Sequence, residues 1–333
     1  MKKITFLMAT FAIFVATVAT GFVENVFACD FCLVSQGIAP LETQRGTGIK
    51  VNQRYARLRR VYSGKDELKY DALLNPRPLE EYWTTEFTVF HALTDDLTLL
   101  VTAPFKKNTL RGHLHVAPDG TAEVHSEVKG DVTGLGDVSA IGRYALVKRH
   151  TLDTDTTFAL VAGIKLPTGR TDAKTSDGAE YLDAHLQLGT GSYDYLAGFS
   201  CNRVSGRFAL SANALASITT NGEAGASEHR FGHTLNYDIT PRYRVYGEAA
   251  TPTGAHVFLS LGANGEYRQR EKLAGDVVAN SGGHTVYIAP GVMAAVGSHL
   301  VLELTYHQSV YHELHGIQTG EDFKASGGAT YMF

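Results

Sequence analysis

The stretch Leu97-Thr98-Leu99-Leu100-Val101-Thr102-Ala103-Pro104-Phe105 decides the fold. All its odd positions are apolar, and alternate residues of a β-strand point to opposite faces. One face of this segment is therefore wholly apolar. The alternation returns along the chain. Phe158, Leu160, Ala162, Ile164 and Leu166 alternate with Thr157, Ala159, Val161, Gly163 and Lys165. Leu300, Leu302, Leu304 and Tyr306 alternate with Val301, Glu303, Thr305 and His307. Phe208, Leu210, Ala212, Ala214 and Ala216 alternate with a second face, from Ala209 to Ser217, that is only partly polar. Near the C-terminus Phe323, Ala325, Gly327, Ala329, Tyr331 and Phe333 share one parity, and Lys324, Ser326, Gly328, Thr330 and Met332 take the other. Segments of about ten residues with this alternation are the signature of transmembrane β-strands.

The pattern predicts strands near 48–62, 82–93, 97–106, 136–148, 155–166, 186–200, 207–219, 229–239, 242–251, 284–295, 299–311 and 322–333. That is about twelve, an even number within the range of bacterial barrels. Long connections are expected near 63–81, 107–135, 167–185, 220–228, 252–283 and 312–321. Short ones are expected at Thr94-Asp95-Asp96, Arg149 to Thr154, Cys201 to Gly206, Thr240-Pro241 and Val296-Gly297-Ser298. A soluble sandwich has no reason to alternate long and short connections. An outer-membrane barrel does, because tight turns face the periplasm and long loops face outside. The expected fold class is all-β, a transmembrane antiparallel β-barrel of about twelve strands with both termini in the periplasm. A closing strand that ends in Tyr331 and Phe333 places aromatics in an interfacial girdle, and closure leaves no edge to cover.

Composition agrees. Charged residues make up 19% of the 333, below the ~25% of an average soluble protein, and there are 16 Tyr and 16 Phe against one Trp. A net charge of −4 argues against a nucleic-acid partner, which needs a basic stripe. Lys2 and Lys3, the apolar run Ile4 to Val18 and Val26-Phe27-Ala28 read as an export signal cleaved before Cys29. Lipidation of Cys29 is the alternative. No later run reaches the ~18 apolar residues of a transmembrane helix. The expected organisation is a signal peptide over 1–28, a periplasmic segment over 29–45 and a barrel over 46–333.

Gly134-Leu135-Gly136-Asp137, Leu166-Pro167-Thr168-Gly169 and Leu188-Gly189-Thr190-Gly191-Ser192 stand in an order and spacing that resemble the outer-membrane family of the MetA pathway of phenol degradation. The resemblance spans roughly residues 82–333. It implies a barrel that passes small organic molecules, and it brings no catalytic residues. Taken by themselves, the glycines mark bends, bulges or close backbone approach, and Pro167 ends a strand.

Cys29-Asp30-Phe31-Cys32 lies outside that resemblance. It reads as a small disulfide in an oxidising compartment, as half of a metal or redox site, or as a lipidation site that leaves Cys32 free. No histidine follows Cys32, so the haem-attachment motif is absent. Cys201, in or beside an expected turn, makes the cysteine count odd. His307, His312 and His315 cluster near the last loop, and His113, His115 and His125 near another, without spacing that forces a ligand set; no metal is assigned. His307 and Ser309 share a face, but a nucleophile needs an oriented base and no third partner is evident.

Opposite the apolar faces lie Arg54, Glu86, Asp137, Arg143, Lys165, Arg244, Glu248, Glu303 and His307. A Lys or Arg facing lipid costs ~2–4 kcal/mol at the bilayer midplane, so these residues are expected to line the lumen. The expected function is non-enzymatic passage of small solutes across the outer membrane, without a cofactor. The alternative is a barrel that docks periplasmic redox or metal-handling partners through its CxxC segment.

Overall fold

The computed structural model describes residues 47–68, 79–116, 122–151, 154–175, 178, 181–225, 227–247 and 254–333. The expected signal peptide, the Cys29 and Cys32 segment and Glu248 lie outside the described residues. In chain order the strands are β1 (Thr47–Ser63), β2 (Asp66–Leu68), β3 (Leu79–Ala92), β4 (Leu97–Val116), β5 (Ala122–Leu135), β6 (Ser139–His150), β7 (Thr154–Lys165), β8 (Asp194–Ser205), β9 (Phe208–Ile218), β10 (Gly222–Ala224), β11 (Ser227–Arg230), β12 (Thr234–Tyr246), β13 (Ala255–Arg268), β14 (Lys272–Leu273), β15 (Asp276–Val277), β16 (Gly283–Val296), β17 (Leu300–Leu314) and β18 (Ile317–Met332). A single 3-10 turn, Ala184–Leu186, is the one helical element named among them.

The strands β1, β3, β4, β6, β7, β8, β9, β12, β13, β16, β17 and β18 pair in that order, each antiparallel to the next. β18 then pairs back onto β1, from Gly48 opposite Met332 to Ser63 opposite Ile317. The sheet is a closed barrel with no free edge, the condition under which strands can stand in lipid. β10, β11, β14 and β15 form a separate small sheet from the long connections. One end of the barrel carries the tight turns and both barrel termini, where the Phe333 amide donates to the Thr47 carbonyl at 2.9 Å. This is the turn end; the opposite one is the loop end.

Parity decides which face each side chain takes. Leu99, Val101, Leu160, Leu210, Leu302 and Leu304 are exposed on the outside, while Thr98, Thr102, Val161, Ser211, Val301 and His307 are buried. Exposed aromatics gather at both rims. Phe208, Tyr243, Tyr246, Tyr331 and Phe333 ring the turn end, and Tyr195, Tyr237 and Tyr267 stand toward the loop end. An apolar band between aromatic girdles is the outer surface of a membrane barrel. This is an outer-membrane β-barrel.

The expected count of twelve holds, but two errors offset each other. Segments 229–239 and 242–251 were expected as separate strands joined by a turn at Thr240-Pro241; they are largely one strand, β12. Pro241 stays paired with Leu210 of β9, while the pairing to β13 lapses opposite Thr240 and Pro241. A proline is tolerated in a strand where its missing N–H is not needed by the ladder. Conversely, the expected long loop 252–283 contains β13, whose Leu259, Leu261 and Tyr267 face outward. Glycines at 262 and 265 masked its alternation.

Four further boundaries differ. The expected loop 107–135 holds an extension of β4 paired with β5, which continues the wall toward the loop end. The expected connection 312–321 shrinks to His315-Gly316, because β17 and β18 both run on. The strand expected over 186–200 begins only at Asp194, and the turn expected from Cys201 shrinks to Gly206-Arg207, with Cys201 inside β8 opposite Phe158 and Ala212.

β5 and β6 pair in succession with the same side of β4, Leu135 opposite Phe105 and Ser139 opposite Thr102. They are one wall strand with a break at residues 136–138. Across that break the Gly136 amide donates to the Pro104 carbonyl at 2.8 Å. Asp137 sits in the break with its carboxylate fully buried.

Candidate functional site

In the connection from β7 to β8, residues 166–175 and 181–193 fold back into the barrel and form a finger. Its apolar side chains Ala173, Leu182, Leu186 and Leu188 pack on Ala56, Tyr82, Leu110 and Val132 of the inner wall. The finger is also cross-linked to itself. The Gln187 amide nitrogen donates to the carbonyls of Ala173 (3.0 Å) and Leu182 (2.9 Å), and its amide oxygen accepts from the Ala173 N–H at 2.9 Å.

The three glycine-rich motifs meet where the finger joins the wall. Asp137 accepts from the Gly169 N–H at 2.9 Å, and from the Thr190 N–H and hydroxyl at 2.9 Å each. Thr168 donates to the Gly136 carbonyl at 3.0 Å and accepts from the Val138 N–H at 2.8 Å. A Cβ on Gly189 would come within 2.5 Å of the Gly169 carbonyl oxygen and 2.7 Å of an Asp137 carboxylate oxygen. Only glycine permits this approach. The motifs are the socket that seats the finger.

Lys165 lies in the same socket, 2.6 Å from Asp194 and 3.4 Å from Asp137, all three side chains buried. It also donates to the Thr190 hydroxyl at 2.7 Å. Two carboxylates around one ammonium, with backbone donors on one of them, satisfy charges that would otherwise be costly to bury. Lys106 of β4 donates to the Leu188 carbonyl at 2.6 Å, and Asn108 to the carbonyls of Leu186 and Gln187 at 3.0 and 3.2 Å.

The other expected lumen residues lie at several levels. Arg54 pairs with Glu86, which also accepts from Asn52 at 3.0 Å. Glu303 takes Lys50 at 2.9 Å. Arg143 is buried and donates to Ser200 at 3.2 Å. His307 is buried edge-on to the Tyr287 ring, near Lys324, which holds Glu266 at 2.7 Å and Glu321 at 2.8 Å. Arg244 does not join these interior groups; it donates to the Gly206 carbonyl at the turn end. Glu303 and His307 border a cavity of about 50 Å³ with Asn213, Asp238 and Arg242.

The histidine clusters do not converge. His307 is buried in the barrel, His312 stacks on Tyr62, and His315 lies against the Ser281 carbonyl. Side chains of His113, His115 and His125 lie outside the described ones. Among the described residues no group of three or more His, Cys, Asp or Glu side chains is arranged to hold a metal ion. Ser309 turns its hydroxyl to the Glu321 and Asp322 carbonyls, not to His307.

A cavity of about 370 Å³ lies between the finger and the loop-end wall. Leu58, Leu110, Leu114, Leu314 and Ile317 supply an apolar wall, and Asn236, Thr285 and Gln318 are among its polar residues. Above it the finger meets the outer sheet at a narrow seam. Glu271 accepts at 3.1 Å from both His185 on the finger and His229 of β11. Burial works against a charged imidazole, but the Glu271 carboxylate outweighs it and holds His185 up to about 9. Burial would raise Glu271, but His185, His229 and Arg268 draw it well below the usual carboxylate range.

Of the residues that seat the finger or lie at its root, Asn108, Thr190, Ser192 and Asp194 escape a reading by strand parity. The predicted β4 stops at 106, which puts Asn108 in a loop, and the predicted β8 takes in residues that belong to the finger. The only signal was the repetition of Gly-Asp, Thr-Gly and Gly-Thr-Gly at strand ends.

Comparison with solved structures places the fold. An outer membrane channel, COG4313, from Pseudomonas putida F1 is similar over 87% of this chain and 96% of its own, with a TM-score of 0.65 and 15% identity. The β domain of the Bordetella autotransporter BrkA (86% and 100% covered, TM-score 0.42, 13% identity) and the monoaromatic hydrocarbon channel CymD (87% and 89% covered, TM-score 0.41, 10% identity) are more distant. No curated protein matches the sequence. The profile of the family described as the putative MetA-pathway of phenol degradation matches residues 81–314, and the chain belongs to that family.

Proposed function

We propose that this protein is an outer-membrane channel for passive or facilitated passage of small solutes, small organic or aromatic compounds among them. The observation that carries the reading is a polar-lined barrel interior holding a 370 Å³ cavity at its loop end, narrowed by a seated finger. A solute would enter from the loop end, facing outside, and leave past Lys324, Glu303 and Lys50 toward a periplasmic turn end. Lys50, Arg54, Lys165 and Lys324 each hold a carboxylate, so the path discriminates by shape and hydrogen bonding as much as by charge. The family membership supports this reading. No catalytic role is assigned to the interior side chains.

The test is conductance of the purified, refolded protein in a planar lipid bilayer. Discrete steps are expected, and Glu303→Gln should shift their cation preference, since it removes the carboxylate charge 2.9 Å from Lys50. Silence from protein shown to be folded, with and without thiol reductant, would overturn the channel reading.

A further inference from the structure

The loop-end cavity has an unusual polar inventory. Its charged groups are already engaged. Glu266 and Glu321 are held by Lys324, His185 by Glu271, and Lys106 by the Leu188 carbonyl. Glu80 accepts from the Tyr82 hydroxyl at 2.7 Å, and Arg268 also has a partner. Asp183 accepts from the His185 N–H at 2.9 Å, so a charged solute would have to give up water there and meet only charges that already hold partners, a costly form of burial.

Two polar atoms on the same walls have no hydrogen-bond partner: Asn108 Oδ1 and Thr234 Oγ1. Both side chains are almost completely buried, Asn108 at 2% and Thr234 at 5% exposure. The Asn108 amide is not free to turn over. Its nitrogen donates to the carbonyls of Leu186 and Gln187, which accept only, so the oxygen must be the orphan. An acceptor buried without a donor is a standing cost that a ligand donor removes. The two residues stand on β4 and β12, well separated around the ring, with the finger between them.

We propose that this cavity is a binding station for an uncharged solute with an apolar body and a hydroxyl group, the hydroxyl donating to Asn108 Oδ1. The volume stands at the lower end of small-molecule sites, about 300–1,000 Å³, so the body is one ring or a short chain. The leucine and isoleucine wall covers that body. This deepens the channel reading and rests on it for the route by which the solute arrives.

The experiment measures binding apart from transport. The full barrel is placed in nanodiscs and titrated by ligand-observed NMR with benzyl alcohol, toluene, benzoate and benzylammonium, with empty nanodiscs subtracted. Benzyl alcohol is expected to bind saturably and more tightly than the other three. Asn108→Leu should weaken benzyl alcohol about fivefold, the equivalent of one neutral hydrogen bond, and leave toluene unchanged. Because Asn108 also anchors the finger, Gly189→Val, which keeps Asn108 and unseats the finger, is the control, and it should weaken benzyl alcohol and toluene by the same factor. Equal affinity for the four head groups, or undiminished benzyl alcohol binding in Asn108→Leu, would overturn the proposal. Head-group-dependent binding without solute flux in proteoliposomes would sink the channel reading and leave this one standing. Flux without head-group preference would do the reverse.

Discussion

Asp137→Ala is the sharpest test of how the finger is held. The carboxylate is fully buried and accepts from two backbone amides, those of Gly169 and Thr190, and from the Thr190 hydroxyl. Alanine leaves both amides without an acceptor in a closed space. Each orphaned donor costs about 1–3 kcal/mol, so the two together cost ~2–6 kcal/mol. The further ~3–5 kcal/mol of stranding a buried charge is not incurred, because Lys165 keeps Asp194 at 2.6 Å. Taking about 4 kcal/mol, the ratio of seated to unseated finger falls about a thousandfold. The barrel ladder is untouched, since Asp137 lies in the break between β5 and β6. Hydrogen exchange at the Gly169 and Thr190 amides should therefore speed up by about that factor, while β8 and β9 keep their protection. Trypsin should cut sooner at Arg170 in folded protein. Asp137→Asn should fall between, since one amide oxygen can still accept. Wild-type exchange at both amides in Asp137→Ala would refute the socket.

Other outcomes follow from the same structure. The seam should loosen with alkali: His185 is raised from 6.5 to about 9, so its contribution is complete below the lower value and lost as pH rises through the upper. Exchange protection of residues 184–187 should fall over that window, and His185→Gln should abolish the pH dependence. Glu271, depressed, keeps its part above about 4.5 and loses it only in strong acid. Gly189→Val should unseat the finger by about 1–3 kcal/mol, because its Cβ meets backbone that cannot move aside; protease protection like wild type would contradict this. Leu304→Arg places a charge on the outer face in mid-strand and should cost ~2–4 kcal/mol in denaturant unfolding from lipid, whereas Leu93→Arg, at a turn, should cost about 0–1 kcal/mol.

The barrel was legible because lipid enforces parity. Leu302 and Leu304 have to face out and His307 in, and a one-residue slip would reverse all of them. The finger was not legible, because no period governs it. Its residues answer to a socket assembled from segments about thirty and fifty residues apart, Asp137 with Gly169 and with Thr190. The glycine motifs were visible, and the sequence left bends, bulges and close backbone approach open. Their real constraint is a close passage of two backbones, which one sequence cannot distinguish from a bend. Pro241 shows the opposite failure. Its local meaning as a turn was plain, and the closed ring overrode it by leaving that ladder position unbonded. For the interior charges, parity supplied the face but not the depth, and so Arg244 looked the equal of Glu303 although it sits at the rim.

The finger's place in the chain bears on the order of assembly. Its socket and its apolar bed draw on residues between Ala56 and Asp194, whereas ring closure joins Gly48 to Met332. Contacts close in sequence form ahead of distant ones, because the longer loop must be brought together before anything is gained. The N-terminal half can thus bind its own stopper as a curved open sheet, and the remaining strands wrap past it. The ring shuts around a stopper already in position, and nothing has to be threaded through a finished mouth.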